Sequence, residues 1–146
     1  MELINRIGLD KFYDYLEKFG LVAGYNLDFP GEGKAVLMPE LMVTAGDLLR
    51  MGFGQSIAVT PLGLITSVSA IVNGGDLMQP YLVKEIYDYS GNVVYTKEST
   101  VLEKVVKNSV SQAINKMLNE VVSKGGGKKA AVAGYDIAGK TGVLPI

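Results

Sequence analysis

The residues best suited to chemistry lie in the last stretch of the chain, Gly134-Tyr135-Asp136-Ile137-Ala138-Gly139-Lys140-Thr141-Gly142. It supports two incompatible readings. Gly134, four residues, then Gly139-Lys140-Thr141 satisfies the phosphate-loop pattern G-x-x-x-x-G-K-[ST], in which loop N–H groups and a helix N-terminus hold phosphate. Alternatively, Tyr135 to Lys140 is a strand, since Tyr135 and Ile137 are bulky strand formers. That strand delivers the Lys140 charge and the Thr141 hydroxyl at its end, and Gly142 leaves room for a ligand lying against the strand edge. The phosphate loop needs a helix after Thr141. The chain there reads Gly142-Val143-Leu144-Pro145-Ile146, and Pro145 would obstruct a helix. The strand reading is therefore the stronger, and a phosphate or nucleotide binder at Gly134–Thr141 is the alternative. A non-catalytic interaction module is the third.

The elements that must position this stretch are mostly helical. Leu3, Ile4 and Ile7 share a face; Asp10 is placed to cap a second helix, on which Phe12, Tyr15, Leu16 and Phe19 follow at core-facing spacing and Gly20 closes. Residues 21–43 read as an irregular connection punctuated by Gly24, Pro30, Gly31, Gly33 and Pro39. Thr44 and Asp47 start a short helix that Gly52 stops. Thr60-Pro61 starts a helix apolar almost all round, which Asn73-Gly74-Gly75 ends. Such a helix expects burial on every side, and Gly63 in its first turn is anomalous, costing ~1 kcal/mol relative to Ala.

Residues 81–97 read as a hairpin turning at Gly91-Asn92. Turn chemistry accounts for Ser90-Gly91-Asn92, an S-x-N match that is not catalytic. An amphipathic helix over 110–124 is expected to be capped by Ser109, with Gln112 at its third position; Val110, Ala113, Ile114, Met117, Leu118, Val121 and Val122 form its stripe. The Gly125-Gly126-Gly127-Lys128-Lys129 run is a flexible, solvated loop. The fold class is α+β, mainly helical, with a hairpin and one strand of a central sheet.

Composition narrows the chemistry. Among 146 residues there is no Cys and no His, which excludes Cys-ligated zinc, Cys/His nucleophile pairs and the Ser-His-Asp triad. No cofactor and no metal site is expected. A net charge of -1 gives no reason to expect a nucleic-acid partner. No signal peptide or membrane-spanning run is evident, so no membrane contact by this chain is expected. Hydrophobic content is 48% and mean hydropathy +0.23, apolar enough to suggest faces that belong against partner segments.

Several stretches together resemble the transpeptidase domain of class B penicillin-binding proteins. Phe53-Gly54-Gln55-Ser56 with Thr60-Pro61-Leu62 is similar to that family's F-G-Q…T-P-L segment, and Asn73-Gly74-Gly75 to its N-G-G helix end. Leu27 through Pro30-Gly31-Glu32 is similar to its L-P-G-E loop, and Gly134-Tyr135 with Ala138-Gly139-Lys140-Thr141-Gly142 to its G-Y…A-G-K-T-G strand. The ordered set covers nearly the whole chain, in a style closest to the sporulation-specific members of Gram-positive spore formers.

The resemblance implies acyl transfer on peptidoglycan stem peptides, through a serine in S-x-x-K that β-lactams trap. Lys140 would supply positive charge at the site, Thr141 would bind the ligand carboxylate and Gly142 would leave room for it. The N–H of Val143 would be one oxyanion-hole donor. No Ser here is followed by Lys three residues on, and Val143, Gly63 and Gly126 stand where Thr or Ser, Gln and Thr are usual. The chain thus reads as a partial transpeptidase domain over 1–146, without S-x-x-K, the true S-x-N and the strands after K-T-G. The resemblance implies an inactive piece of an extracytoplasmic, membrane-anchored parent, with self-association as a further expectation.

Overall fold

The computed structural model describes residues 2–142. Its organising element is the helix α4, Pro61–Val72. Thr60 Oγ1 accepts the N–H of Gly63 at 3.0 Å, and Pro61 sits at the first helical position, where its missing N–H costs nothing. Asn73 ends the helix with its side chain: Oδ1 accepts from the amides of Gly75 and Asp76, and Nδ2 donates to the Asp76 carbonyl at 2.7 Å. The chain then turns into β3, Asp76–Met78, which pairs antiparallel with β6, Val101–Lys104. Neither strand is marked in the sequence by alternation. The core forms where α4 meets this ladder: Ala70, Leu77 and Val105 are buried, with Phe19 and Val106 packed against them.

Gly63 has a packing reason. A Cβ there would meet Thr60 Oγ1 at 3.1 Å and the Gly20 carbonyl at 3.5 Å, so its bare backbone lets α4 approach the backbone at Gly20-Leu21. The buried stripe of α4 is Gly63, Thr66, Ser67 and Ala70. Its large apolar residues face outward instead: Leu64 is 52% and Ile65 63% exposed. The expectation of a helix enclosed on every side is therefore corrected, because the described residues cover only its small-residue stripe.

Two N-terminal helices, α1 (Glu2–Ile7) and α2 (Leu9–Lys18), pack against each other, and Phe19, just after α2, reaches the core. Asp10 does not cap α2. The cap position is Gly8, and Asp10 lies inside the first turn, where its charge still faces the positive end of the dipole. Leu16 of the predicted stripe is buried, Phe12 and Phe19 are half-buried, and Tyr15 is exposed.

The 21–43 connection is irregular, as expected, but acidic side chains hold it. Glu32 accepts from the amides of Tyr25 and Leu27, and Asp28 accepts from Leu82 at 3.0 Å and Val83 at 2.7 Å. It contains β1, Val36–Leu37, paired antiparallel with β2, Ile57–Ala58. The helix α3, Ala45–Met51, starts with the predicted capping box of Thr44 and Asp47.

The hairpin is present as β4 (Glu85–Tyr87) and β5 (Val93–Thr96), paired with each other. Asp88 organises its turn by accepting from the amides of Ser90 and Asn92 and from the Asn92 side chain. Ser90-Gly91-Asn92 is thus turn chemistry.

The helix α5 runs Asn108–Ser123, and Lys107 occupies its cap position with no side-chain bond. Ser109 is inside the helix, and Gln112 donates instead to Asn108 Oδ1 at 2.7 Å, so the predicted capping box is corrected. The glycine run after α5 is ordered. Gly125 and Gly127 amides return to the Glu120 and Val121 carbonyls, and Lys128–Ala130 forms a 3-10 turn.

The architecture is α+β, with helices dominant and three two-stranded ladders among the described residues. The strand expected over Tyr135–Lys140 is not formed: those residues have no ladder partner. A strand exists only by pairing, and among residues 2–142 this segment pairs with none.

Candidate functional site

Helix α5 positions the terminal stretch. Its predicted apolar stripe is graded: Val122 is buried, Ile114, Leu118 and Val121 are half-buried, and Val110, Ala113 and Met117 are exposed. Beside it runs a polar row, Ser111, Asn115 and Asn119, at i, i+4 and i+8. Each member makes one bond to a different part of the chain. Ser111 Oγ accepts the Gly74 amide at 3.2 Å, Asn115 Nδ2 donates to the Val72 carbonyl at 3.1 Å, and Asn119 Nδ2 donates to the Ile137 carbonyl at 3.3 Å. The N-G-G end of α4 and the approach to K-T-G are thereby fastened to one helix face. Reading α5 only for hydrophobic period misses these three residues. The signal that finds them is small polar side chains repeating every four positions.

A second bond completes the docking. The Gly139 amide donates to the Leu118 carbonyl at 3.2 Å. A Cβ added at Gly139 would sit 3.6 Å from Val122 Cγ2, an ordinary contact. Ile137 and Gly139 are half-buried against α5, whereas Lys140, Thr141 and Gly142 are exposed. The structure therefore places the three candidate residues consecutively at the free end of an anchored segment. Lys140 Nζ donates to the Thr141 carbonyl at 2.7 Å and forms no ion pair among the described residues. Val143, the expected oxyanion donor, lies outside the described residues.

The same geometry disposes of the phosphate loop. Residues 131–134 form no strand, and two loop amides are already used: Tyr135 N–H donates to the Val132 carbonyl and Gly139 N–H to Leu118. A phosphate cradle needs those N–H groups free and convergent. Among the described residues there is no cluster of acidic side chains suited to a metal, and no helix is long and apolar enough to cross a membrane.

The remaining stretches that resemble the transpeptidase family have structural work. Glu32 pins the Tyr25–Leu27 backbone, and burial pushes the Tyr25 phenol up while its hydroxyl donates to the Gly20 carbonyl at 2.9 Å. The Gln55 amide closes the end of α3 on the Arg50 carbonyl at 2.9 Å.

Comparison with known proteins agrees with the fold. The family model of the penicillin binding protein transpeptidase domain matches residues 1–143. Stage V sporulation protein D of Bacillus subtilis is 37% identical over 143 residues, which is 97% of this chain and 22% of that protein. Among solved structures, penicillin-binding protein 3 of Mycobacterium tuberculosis complexed with ampicillin aligns with a TM-score of 0.80 at 26% identity, over 92% of this chain and 31% of that one. The D,D-transpeptidase domain of a peptidoglycan glycosyltransferase from Eggerthella lenta aligns with a TM-score of 0.75 at 28% identity, over 97% of this chain and 37% of that one. The chain thus spans about a fifth to two-fifths of the proteins it matches. By the family model, by identity along nearly its whole length and by fold, the chain belongs to the penicillin-binding protein transpeptidase domain family.

Proposed function

We propose that this chain is the middle portion of a D,D-transpeptidase domain and supplies one wall of its acyl-transfer site. The observation that carries this is the segment docked on α5, which ends in exposed Lys140-Thr141-Gly142 within a chain matching the family over residues 1–143. The reaction cross-links peptidoglycan. A serine oxygen attacks the carbonyl of the penultimate D-Ala of a stem peptide, the terminal D-Ala leaves with a proton, and a second peptide's amine releases the acyl group. A β-lactam acylates the same serine and stays.

In this reading Lys140 places a positive charge beside the attacking serine. The Thr141 hydroxyl binds the carboxylate of the stem peptide or the β-lactam, Gly142 leaves the ligand room, and the Val143 N–H stabilises the oxyanion. The serine of S-x-x-K is not in this sequence, so the chain by itself is inactive and the nucleophile comes from elsewhere in the parent protein. The parent is extracytoplasmic and membrane-anchored, with a sporulation role like that named for its Bacillus relative.

Labelling of the full-length protein with a fluorescent penicillin tests this reading. One label per molecule is expected, with acylation by Lys140→Ala slowed by orders of magnitude, since one preorganised charge is worth ~3 kcal/mol or more. Near-normal acylation by that variant removes Lys140 from the site.

A further inference from the structure

We infer that Asn119 is a positioning residue for the Lys140-Thr141-Gly142 segment, acting through the Ile137 carbonyl. This rests on the acyl-transfer reading above. Among the described residues the terminal stretch joins no ladder, and a ligand-binding triplet must be placed to within about half an ångström to work. Two bonds fix it to α5: Asn119 Nδ2 to the Ile137 carbonyl at 3.3 Å, and Gly139 N–H to the Leu118 carbonyl at 3.2 Å. They flank Ala138, and they reach the segment from adjacent residues of one helix turn. The second is backbone to backbone and survives any substitution at 118. The first depends on the Asn119 side chain.

Asn119 is half-buried, so its amide is partly withheld from water. Lys140 is three positions beyond Ile137. Losing the Asn119 bond leaves the Gly139 amide, one residue before Lys140, as the segment's remaining hydrogen bond to α5 among the described residues. Asn115 is the internal control. It lies one turn earlier in the same polar row and makes the same type of bond, but to the Val72 carbonyl at the end of α4.

The experiment compares Asn119→Ala and Asn115→Ala in the full-length protein. Two quantities are read: the second-order rate of acylation by a fluorescent penicillin, and amide exchange of the peptide covering 135–142. Asn119→Ala should slow acylation about tenfold, the rate equivalent of one hydrogen bond of a half-buried group, and speed exchange in that peptide. Asn119→Asp, which keeps the size and loses the donor, should do the same. Asn115→Ala should leave both quantities unchanged. Wild-type acylation and exchange in Asn119→Ala overturn the inference. Equal acylation losses in the Asn119 and Asn115 variants also overturn it, since they show a general weakening of α5. If the unsubstituted protein takes up no penicillin, the acyl-transfer reading fails, and exchange at 135–142 still decides whether Asn119 holds the segment.

Discussion

The Ser111 hydroxyl accepts the amide N–H of Gly74 at 3.2 Å, tying the first turn of α5 to the Asn73-Gly74-Gly75 end of α4 across 37 positions of chain. Ser111 is 1% exposed, so no water can replace it as the acceptor. Ser111→Ala leaves the Gly74 amide buried without a partner. A loss of ~1–3 kcal/mol is expected in chemical denaturation, against little effect from Ser109→Ala on the exposed side of the same turn. Equal stability of the two variants would remove the Ser111 bond from the account.

Gly75 and Gly126 should respond oppositely to substitution. Gly75 sits at φ 108°, and a Cβ there would lie 2.8 Å from the Val106 carbonyl carbon. Gly75→Ala therefore combines a left-handed backbone with a clash against main chain, and a loss of ~3 kcal/mol or more is expected. Gly126 has open space around it, and Gly126→Thr should change stability by no more than ~0.5 kcal/mol. Thermal unfolding of both variants checks the contrast.

Acid should loosen the chain through three carboxylates. The Thr44 hydroxyl, the Thr44 amide and Arg50 hold the Asp47 carboxyl at about 2, below its ordinary 3.8. The Leu82 and Val83 amides hold Asp28 below that ordinary value, and the Asn92 side chain and amide do the same for Asp88. A lowered folded pKa contributes stability that is complete above the unfolded pKa and is lost as pH falls through the folded one. Denaturation midpoints should therefore be flat above about pH 5 and fall from about pH 4 towards pH 2, the Asp47 part being lost between 3.8 and about 2. Asp47→Asn should make the fall shallower. A midpoint that rises towards pH 2 would contradict the assignment.

The isolated chain should associate or bind a hydrophobic dye. Leu64, Ile65, Val68 and Val72 of α4 are 43–63% exposed, and a groove of about 520 Å³ between α1 and α2 is lined by Leu3, Ile7, Phe12, Tyr15 and Phe19. Light scattering at dilute concentration should show more than a monomer. A monomer with cooperative unfolding and no dye binding would show that these faces need no cover.

Helix positions are legible in the sequence because local signals carry them. Thr60-Pro61, the Thr44 and Asp47 pair and the glycines at helix ends each act within a few residues. Two caps differ from expectation, at Asp10 and Ser109, because Gly8 and Lys107 take those positions with no side-chain bond at all. The β3–β6 ladder is not legible, since three- and four-residue strands 20 or more positions apart leave no period to read. Tyr135–Lys140 fails as a strand for the converse reason: its residues favour a strand, but pairing partners decide one. At the candidate site the triplet is legible as a motif. The row Ser111, Asn115 and Asn119, whose last member anchors the approach to it, is not, because a polar row on a half-exposed helix looks like solvent-facing sequence.

Intact-mass measurement of penicillin adducts on the full-length protein, followed by peptide mapping, tests most directly whether this chain is a wall of an acyl-transfer site. The account predicts one adduct, carried by a serine outside these 146 residues, and its near-complete loss at short times in Lys140→Ala. An adduct on any serine of this chain, or an unchanged rate in Lys140→Ala, would contradict it.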